Sequence, residues 1–335
     1  MTIDQVNFTR YKKGQTKGHY ESFFQRANHP TESKAFWIRY TIFSPNNHPE
    51  KAIGELWIIY FDGTAGNHIS VKKEMPFEKC VFDNDRFFVK ADNAILENGK
   101  FSGIASSNNN TMEWNLNYSG NSKPLFFFPE NLYDGTFPKA KLLVGLPLAE
   151  FNGKLIVNGN AIEIKNWIGS QNHNWGMKHT DNYAWGQVAG FDNAPESFFE
   201  VSTARLKFGP VWTPFMTLMA LRHRGREFRL NSIFQALRAR GKFDYFHWNF
   251  FSETNEIKIE GEIHSEKNDF VWLKYYNPPG GIKNCLNTKI ASCKIKISYK
   301  NENGNIVEGM LESRNRAAFE ILTDDKNHGI VNQNK

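Results

Sequence analysis

Apolar and polar residues alternate along much of this chain, as they do in β-strands that face a core on one side. The clearest case is the segment 111–118, in which the apolar positions are Met112, Trp114, Leu116 and Tyr118. A second face is formed in the same way by Phe36, Ile38, Tyr40 and Ile42. Because the side chains of a strand alternate between its two faces, each set is expected to point into one core.

Many further segments are typical of strands and are separated by turn sequences. They are Glu55–Phe61, Lys154–Val157, Ile162–Trp167, Tyr183–Phe191, Phe198–Phe208, Ile257–Ile263, Phe270–Tyr276, Ile290–Tyr299 and Ile306–Leu311. Turn pairs such as Asn98-Gly99, Asn158-Gly159 and Asn303-Gly304 lie between them. Short strands at close spacing predict an all-β protein built as barrels or sandwiches, with few helices. The best helix candidates are Ser232–Arg240 and Arg314–Leu322.

The length of the chain predicts two domains. A chain of 335 residues is long for one core, and the strand pattern lapses between Gly209 and Lys242. We therefore expect an N-terminal β-domain at 1–209, a basic connecting segment at 210–242 and a smaller C-terminal β-domain at 243–335.

The positive charge of the chain is concentrated in the connecting segment. The net charge is +6, and Arg222–Lys242 holds seven basic residues and one acid, so the rest of the chain is neutral. Such a segment could meet nucleic acid, an anionic membrane surface or an acidic ligand. No nucleic-acid-binding motif accompanies it, so we expect no nucleic-acid partner. A peripheral contact with a membrane surface through Arg222–Lys242 stays open beside a simple solvated role.

Several classes of protein have no support in the sequence. No apolar run is long enough to span a membrane, the N-terminus lacks an apolar signal core, and the three cysteines form no C-x-x-C pair, so a cytoplasmic location is expected. Dinucleotide, Walker and serine-hydrolase motifs are missing. His173 and His179, with Asp181 nearby, could share a metal, but no further ligand has a recognisable spacing. We expect neither a metal nor a cofactor.

A dense cluster of polar and aromatic residues at 171–187 is the main candidate site. Tyr183, Trp185 and Gln187 fall on one face of a predicted strand, and two aromatic rings with an amide suit a cavity that both packs against a ligand and orients it. Aromatic residues form 15% of the chain, which leaves enough aromatic surface to line such a cavity. The alternative is that these rings fill an ordinary core while His173 and Asn174 cap a turn.

The block His173-Asn174-Trp175-Gly176, followed by Tyr183, Trp185 and Gln187, resembles a known superfamily, as does the early block Gly18-His19-Tyr20-Glu21-Ser22. The superfamily comprises the lipocalin-like AttH proteins, carotenoid hydratases and tocopherol cyclases, and lipocalin-like Diels–Alder cyclases belong to the same structural group. The resemblance implies two lipocalin-like β-barrel domains with a ligand pocket at or between them.

The resemblance also implies roles for single residues. It associates His173 and Trp175 with the pocket and with catalysis, and it places an acid on a downstream strand, for which Glu200 is the candidate, although the hydratases use Asp there. Glu21 lies among Tyr20, Phe23 and Phe24, where burial would raise the pKa of a carboxyl and make it a proton donor. The predicted catalytic residues are therefore His173, Glu21 and Glu200, and the predicted binding residues are Trp175, Asn174, Tyr183, Trp185 and Gln187.

The resulting hypothesis is a cofactor-free enzyme that hydrates, cyclises or isomerises a lipophilic polyene, terpenoid or polyketide-like molecule. A carboxylic acid would protonate an alkene, and the faces of Trp175, Tyr183 and Trp185 would stabilise the cation. The alternative is a lipocalin-like carrier that binds a hydrophobic ligand without changing it. An interaction protein that uses the basic segment on an anionic surface is the third hypothesis.

Overall fold

The computed structural model describes residues 5–301 and 303–330 and is almost entirely β-structure. Strands hold 62% of the chain and helices 6%, and the architecture is one nearly closed barrel sheet beside a second large sheet. The predicted all-β class with few short helices is confirmed.

Twelve strands of the described chain form the first sheet. They are β1 (His19–Asn28), β2 (Lys34–Ser44), β3 (Ile53–Asp62), β4 (Ile69–Pro76), β5 (Cys80–Phe82), β6 (Phe88–Ala91), β7 (Ala94–Glu97), β8 (Lys100–Ser107), β9 (Asn110–Ser119), β10 (Leu125–Phe126), β11 (Ala140–Val157) and β12 (Asn160–Gly176). Their order is β4-β3-β2-β1-β12-β11-β9-β8-β7-β6-β5, with β10 beside β11. The barrel nearly closes where the Lys72 amide of β4 donates to Ser107 Oγ of β8 at 3.1 Å.

The second sheet follows directly. Its strands are β13 (Asn182–Ala189), β14 (Phe198–Arg205), β17 (Met216–His223), β18 (Arg226–Leu230), β19 (Arg240–Phe243), β20 (His247–Glu253), β21 (Ile257–His264), β22 (Val271–Tyr276), β23 (Ile282–Lys300) and β24 (Ile306–Thr323). Their order is β18-β17-β14-β13-β24-β23-β21-β20-β19, with β22 beside β23. The short hairpin of β15 (Lys207–Phe208) and β16 (Val211–Trp212) lies outside both sheets.

Helical structure is short. The one α-helix of the described chain, α1 (Ile233–Arg238), begins after Ser232, whose side chain accepts a hydrogen bond from the Gln235 amide. Four 3-10 turns lie at Pro49–Lys51, Phe77–Lys79, Glu130–Leu132 and Lys267–Asp269. Helix α1 falls within the predicted helix at 232–240.

The predicted helix at Arg314–Leu322 is wrong, because this segment belongs to strand β24. It pairs with β13 on one side and with β23 on the other. Phe319 and Ile321 pack into the core of the second sheet, whereas Ala318 and Leu322 pack between the two sheets. Both faces are apolar because both are covered, and such a segment lacks the alternation that marks a half-exposed strand.

The chain passes from the first sheet to the second between Gly176 and Asn182. Strands are also present within 210–242, the segment that was predicted as a connection. Strands β17 and β18 and most of β19 lie within 210–242, where no strand pattern was expected, and they belong to the second sheet. How the chain divides into independently folding domains stays a prediction.

Three apolar layers hold the molecule together. The first fills the barrel and contains Phe36, Ile38, Tyr40, Trp114 and Leu116. The second fills the core of the other sheet, and the third lies between the sheets, where residues such as Trp37 and Trp57 meet Trp185 and Leu273. The central strands therefore have no solvent face, and their outward side chains line the space between the sheets.

Candidate functional site

Strands β1 and β12 are neighbours, and their side chains divide between two environments. Glu21 is paired with Trp175, and Phe23 with His173, whereas Ser22 is paired with Asn174. Because side chains alternate along a strand, the first two pairs face the barrel and the third faces the space between the sheets. The H-N-W-G block is thus split, with His173 and Trp175 on one side and Asn174 on the other.

On the barrel side, Glu21 and His173 form a completely buried pair. Both side chains have no exposed surface, and Nε2 of His173 lies 2.8 Å from Oε1 of Glu21. Nδ1 of His173 lies 2.7 Å from the carbonyl oxygen of Val6, which can only accept a hydrogen bond. The ring stacks on Phe23 at 4.1 Å and lies 4.7 Å from Trp175.

The carboxylate of Glu21 makes four hydrogen-bond contacts. The amides of Arg10 and Tyr11 donate at 2.7 and 2.8 Å, and the rings of His19 and His173 supply the other two contacts at 3.0 and 2.8 Å. Burial alone would raise the pKa of Glu21, but the bonds and charges of His173 and His19 outweigh burial and lower the pKa to about 2. Glu21 is therefore an ionised, fully bonded carboxylate that fastens the N-terminal segment to the sheet.

On the opposite side of β1 and β12, a cavity of about 180 Å³ lies between the two sheets. Its wall is mainly aromatic and aliphatic, with Phe24 and Trp37 from the first sheet, Tyr183 and Trp185 from the second, and Phe127 from the β10–β11 connection. The wall includes two apolar side chains that are more than half exposed, Phe137 at 52% and Ile233 at 56%, so the cavity reaches the surface there.

The structure brings only some of the predicted site residues to this cavity. Asn174, Tyr183 and Trp185 are part of its wall, whereas the other five are not: His173, Trp175, Glu21, Gln187 and Glu200. His173 and Trp175 therefore do not line one cavity with Tyr183 and Trp185, because alternation along β12 turns them toward the barrel, where Glu21 lies within reach of His173. Their predicted catalytic and binding roles are untested.

Glu200 lies immediately behind the cavity wall, on the same face of β14 as the wall residue Ser202. It is 2% exposed, and Trp185 Nε1 donates to its Oε1 at 2.9 Å, with Gln187 Nε2 3.4 Å away. Its second oxygen, Oε2, has no hydrogen-bond partner among the described residues. Burial raises the pKa of Glu200 to about 7, although Trp185, Gln187 and Arg26 act in the opposite direction.

A polar network behind the wall fixes Gln187 and, through it, Glu200. Arg26 Nε donates to Gln187 Oε1 at 2.8 Å, and Ser170 Oγ donates to the same oxygen at 2.7 Å. Gln187 Nε2 donates to Asn172 Oδ1 at 2.9 Å. With its oxygen held by two donors, Gln187 must present its NH₂ group toward Asn172 and Glu200.

The cavity wall includes polar groups beyond the predicted catalytic and binding residues. Arg39 lies over the Tyr275 ring at 4.5 Å, and His179 stacks on Tyr20 at 3.9 Å. Burial, helped by the charges of Arg39 and Lys283, lowers the pKa of His179 to about 3, so the ring is neutral. Glu320 is also in the wall and accepts from Lys289 Nζ at 2.7 Å.

Two aromatic faces that were expected to stabilise a ligand cation already have protein cations near them. Lys289 Nζ lies 5.6 Å from the centre of Trp185, and Arg10 lies 5.4 Å from that of Trp175. Lys289 is in turn paired with Glu320 at 2.7 Å, so an ion pair already lies beside the Trp185 face.

The described residues contain no group of three or more His, Cys, Asp or Glu side chains that could hold a metal ion. His173 and His179 lie on different sides of the first sheet, and Asp181 pairs with Lys178 at 2.6 Å. The three cysteines are free and buried. Within residues 5–301 and 303–330, no helix is long and apolar enough to cross a membrane.

Part of the basic segment is engaged in contacts within the protein. Arg222 binds Glu227 and the carbonyl groups of Lys123 and Pro124, and Arg229 binds Glu227 and Glu130. A membrane contact through Arg222–Lys242, and the expected lack of a nucleic-acid partner, stay predictions.

A barrel sheet packed on a second β-sheet around an apolar cavity defines a lipocalin-like protein of the two-sheet type. Two solved structures share this fold: kievitone hydratase of Nectria haematococca and an AttH candidate of Nitrosomonas europaea. The hydratase superposes with a TM-score of 0.57 at 12% identity, over 92% of this chain and 89% of its own. The AttH candidate superposes with a TM-score of 0.55 at 11% identity, over 94% of this chain and 92% of its own.

The predicted resemblance to the AttH and carotenoid hydratase group is thus confirmed at the level of the fold. No family model and no curated protein matches the sequence.

Proposed function

We propose that this protein is a hydratase- or cyclase-type enzyme whose lipophilic substrate binds in the cavity between the sheets. The observation that carries the proposal is the position of Glu200, a buried carboxyl with one unpartnered oxygen directly behind an aromatic cavity wall. Unsatisfied polar groups are costly in a protein interior and are retained where they serve a function. The hydratase among the structures of the same fold supports the proposal.

Glu200 is the proposed general acid. Its pKa of about 7 leaves a large fraction protonated near neutral pH, which is the range in which a carboxyl transfers protons most effectively. Trp185 and Gln187 hold Oε1, so the proton resides on Oε2. Transfer through one water molecule brings the proton to the ligand.

The proposed reaction balances without a cofactor. The electron pair of a carbon–carbon double bond takes the proton of Glu200 and forms a C–H bond. The oxygen of water, or of a hydroxyl group within the ligand, bonds to the other carbon and releases a proton, which returns to the Glu200 carboxylate. Because the guanidinium of Arg39 places positive charge beside Trp37, the oxygen attacks as the proton is transferred, before a free cation forms.

The carrier hypothesis uses the same cavity and differs only in what happens to the ligand. Native mass spectrometry of the purified protein, with extraction of bound small molecules, tests both hypotheses. We expect a lipophilic compound on the wild type and on Glu200→Gln, with the variant holding the precursor. The wild-type product is one water heavier after hydration, and has the same mass but a different retention time after cyclisation.

Glu113→Gln is the matched control, because Glu113 is an exposed glutamate on β9. Identical, unchanged compounds on the wild type and on both variants would establish a carrier. Failure of the protein to bind any polyene, terpenoid or aromatic compound tested would remove the proposed function altogether.

A further inference from the structure

One wall of the cavity carries a buried positive charge that has no direct ion-pair partner among the described residues. Arg39 is 6% exposed and is part of the cavity wall. Its guanidinium lies over the rings of Tyr275, at 4.5 Å, and Trp37, at 5.8 Å. Within the described part of the chain the guanidinium has no ion-pair partner, and its buried Nε has no hydrogen-bond acceptor.

The carboxylates whose charges act on Arg39 already have other partners. Glu55 pairs with Lys72 Nζ at 2.8 Å. Glu320 accepts from Lys289 Nζ at 2.7 Å and from Asn287 at 2.9 Å. Burial lowers the pKa of Arg39, but Tyr275 and these two carboxylates outweigh burial and raise it. Each carboxylate is nevertheless bonded to a lysine, and neither forms an ion pair with the Arg39 guanidinium.

Among the described residues, the other buried cations near this space are bonded to side-chain acceptors. Lys289 pairs with Glu320, and Arg26 donates to Gln187 and Asn28, so Arg39 differs from both. Burying a charge without a partner costs several kcal/mol, so a folded protein retains one where a ligand supplies the opposite charge.

We propose that Arg39 binds an ionised oxygen acid of the ligand, which makes the substrate an amphipathic molecule with an apolar body and a carboxylate or comparably acidic head. The guanidinium presents a planar fork of N–H donors that matches such a group, and its aromatic neighbours hold the fork in place. The apolar body then lies toward Trp185 and Tyr183. This inference rests on the proposed function, because it assigns a ligand class to the same cavity.

A matched pair of probes, 2-naphthoate and its uncharged isostere 2-naphthamide, tests the charge requirement by quenching of tryptophan fluorescence. We expect the wild type to bind naphthoate more tightly by roughly 10- to 100-fold, the usual worth of a charge-assisted hydrogen bond. Arg39→Gln should lose this preference while still binding the amide, and Arg39→Lys should keep part of it. Arg314→Gln, which removes an arginine whose side chain is 84% exposed, is the control and should bind both probes like the wild type.

Two results would overturn the inference alone, and a third would overturn it together with the proposed function. Equal binding of both probes by the wild type removes the acid requirement and leaves the cavity as a lipophilic site. If Arg39→Gln still prefers naphthoate, another cation of the protein binds the acid group. If the wild type binds neither probe and no other lipophilic compound, the cavity is not a ligand site and both proposals fail. The comparison within the wild type decides the question even if Arg39→Gln does not fold.

Discussion

Glu21 and Glu200 are both buried glutamates on central strands, yet their surroundings are opposite. Glu21 makes four hydrogen-bond contacts through its two oxygens, and its pKa is lowered to about 2. Glu200 accepts hydrogen bonds on one oxygen and, among the described residues, has no partner on the other, and its pKa is raised to about 7. A saturated carboxylate holds a structure together, whereas an unsaturated one retains a proton that it can give away. The comparison therefore separates a structural site from a candidate catalytic one.

The largest expected effect is on stability, at Glu21. In Glu21→Gln, the amide NH₂ group faces a group that donates a hydrogen bond to the carboxylate of the wild type, so two donors meet. The variant also leaves the buried His173 without its anion. Breaking a buried pair in this way costs about 3–5 kcal/mol of the free energy of unfolding. Urea unfolding at neutral pH measures the loss, and Glu113→Gln should change the free energy by less than about 0.5 kcal/mol. A loss at Glu21 as small as that of the control would show that the cluster is not structural.

The pH dependence at Glu21 has a definite sign. Its folded pKa of about 2 lies below the ordinary value of 4.5, so the carboxylate stabilises the fold above pH 4.5. That stabilisation is lost as the pH falls from 4.5 toward about 2. Acid unfolding of the wild type should show this loss.

The titration of Glu200 should change stability with pH in the direction opposite to that of Glu21, and Glu200→Gln should remove this change. The folded pKa of about 7 lies above 4.5, so the native state binds the proton more tightly than the unfolded state does, and wild-type stability falls as the pH rises from 4.5 to about 7. The variant lacks this titration. Relative to that of the wild type, its free energy of unfolding should increase across this pH range. The increase is at most ~3 kcal/mol, at ~1.4 kcal/mol per pKa unit. A difference between variant and wild type that stays constant from acid to alkaline pH would contradict the assignment, whatever its size.

Trp185→Phe should have the smallest of these effects, a shift in the pKa of Glu200 alone. The ring keeps most of the packing, but Oε1 of Glu200 loses its 2.9 Å bond from Nε1. Because that bond lowers the pKa of Glu200, its removal should raise the pKa further, and the alkaline limb of the rate profile should move to higher pH. Tyr183→Phe is a control with no bond to Glu200, and it should leave that limb in place.

The class of fold was predictable from the sequence because the alternation of apolar and polar residues is a local property of each strand. On β9, every second residue from Met112 to Tyr118 is buried and those between are exposed, as the pattern predicts. On β24 and on the central strands both faces are buried, and the local pattern could not distinguish strand from helix. Only the packing of one sheet on the other, which is a long-range property, reveals why Phe319 and Ala318 are both apolar.

The candidate site was predicted less completely for a related reason. Trp185 and Glu200 were found through their strand and through the resemblance, but His173 was joined to them although Asn174, its neighbour, occupies the cavity face. Applying alternation to β12 as strictly as to β13 would have separated them. Arg39 gave a weaker signal, a charged residue between Ile38 and Tyr40 in a segment that is otherwise apolar. Its position beside Tyr275 and Glu320 depends on strands more than 200 residues away in the sequence.

The most direct test of the account is the titration of the Glu200 carboxyl itself, followed by infrared difference spectroscopy between the wild type and Glu200→Gln. We predict a carboxylic acid C=O band, missing from the variant, that disappears as the pH rises through about 7. A band that disappears near the ordinary pKa of 4.5 would show that Glu200 is an ordinary ionised carboxylate at neutral pH, and the proposed proton donor would be wrong.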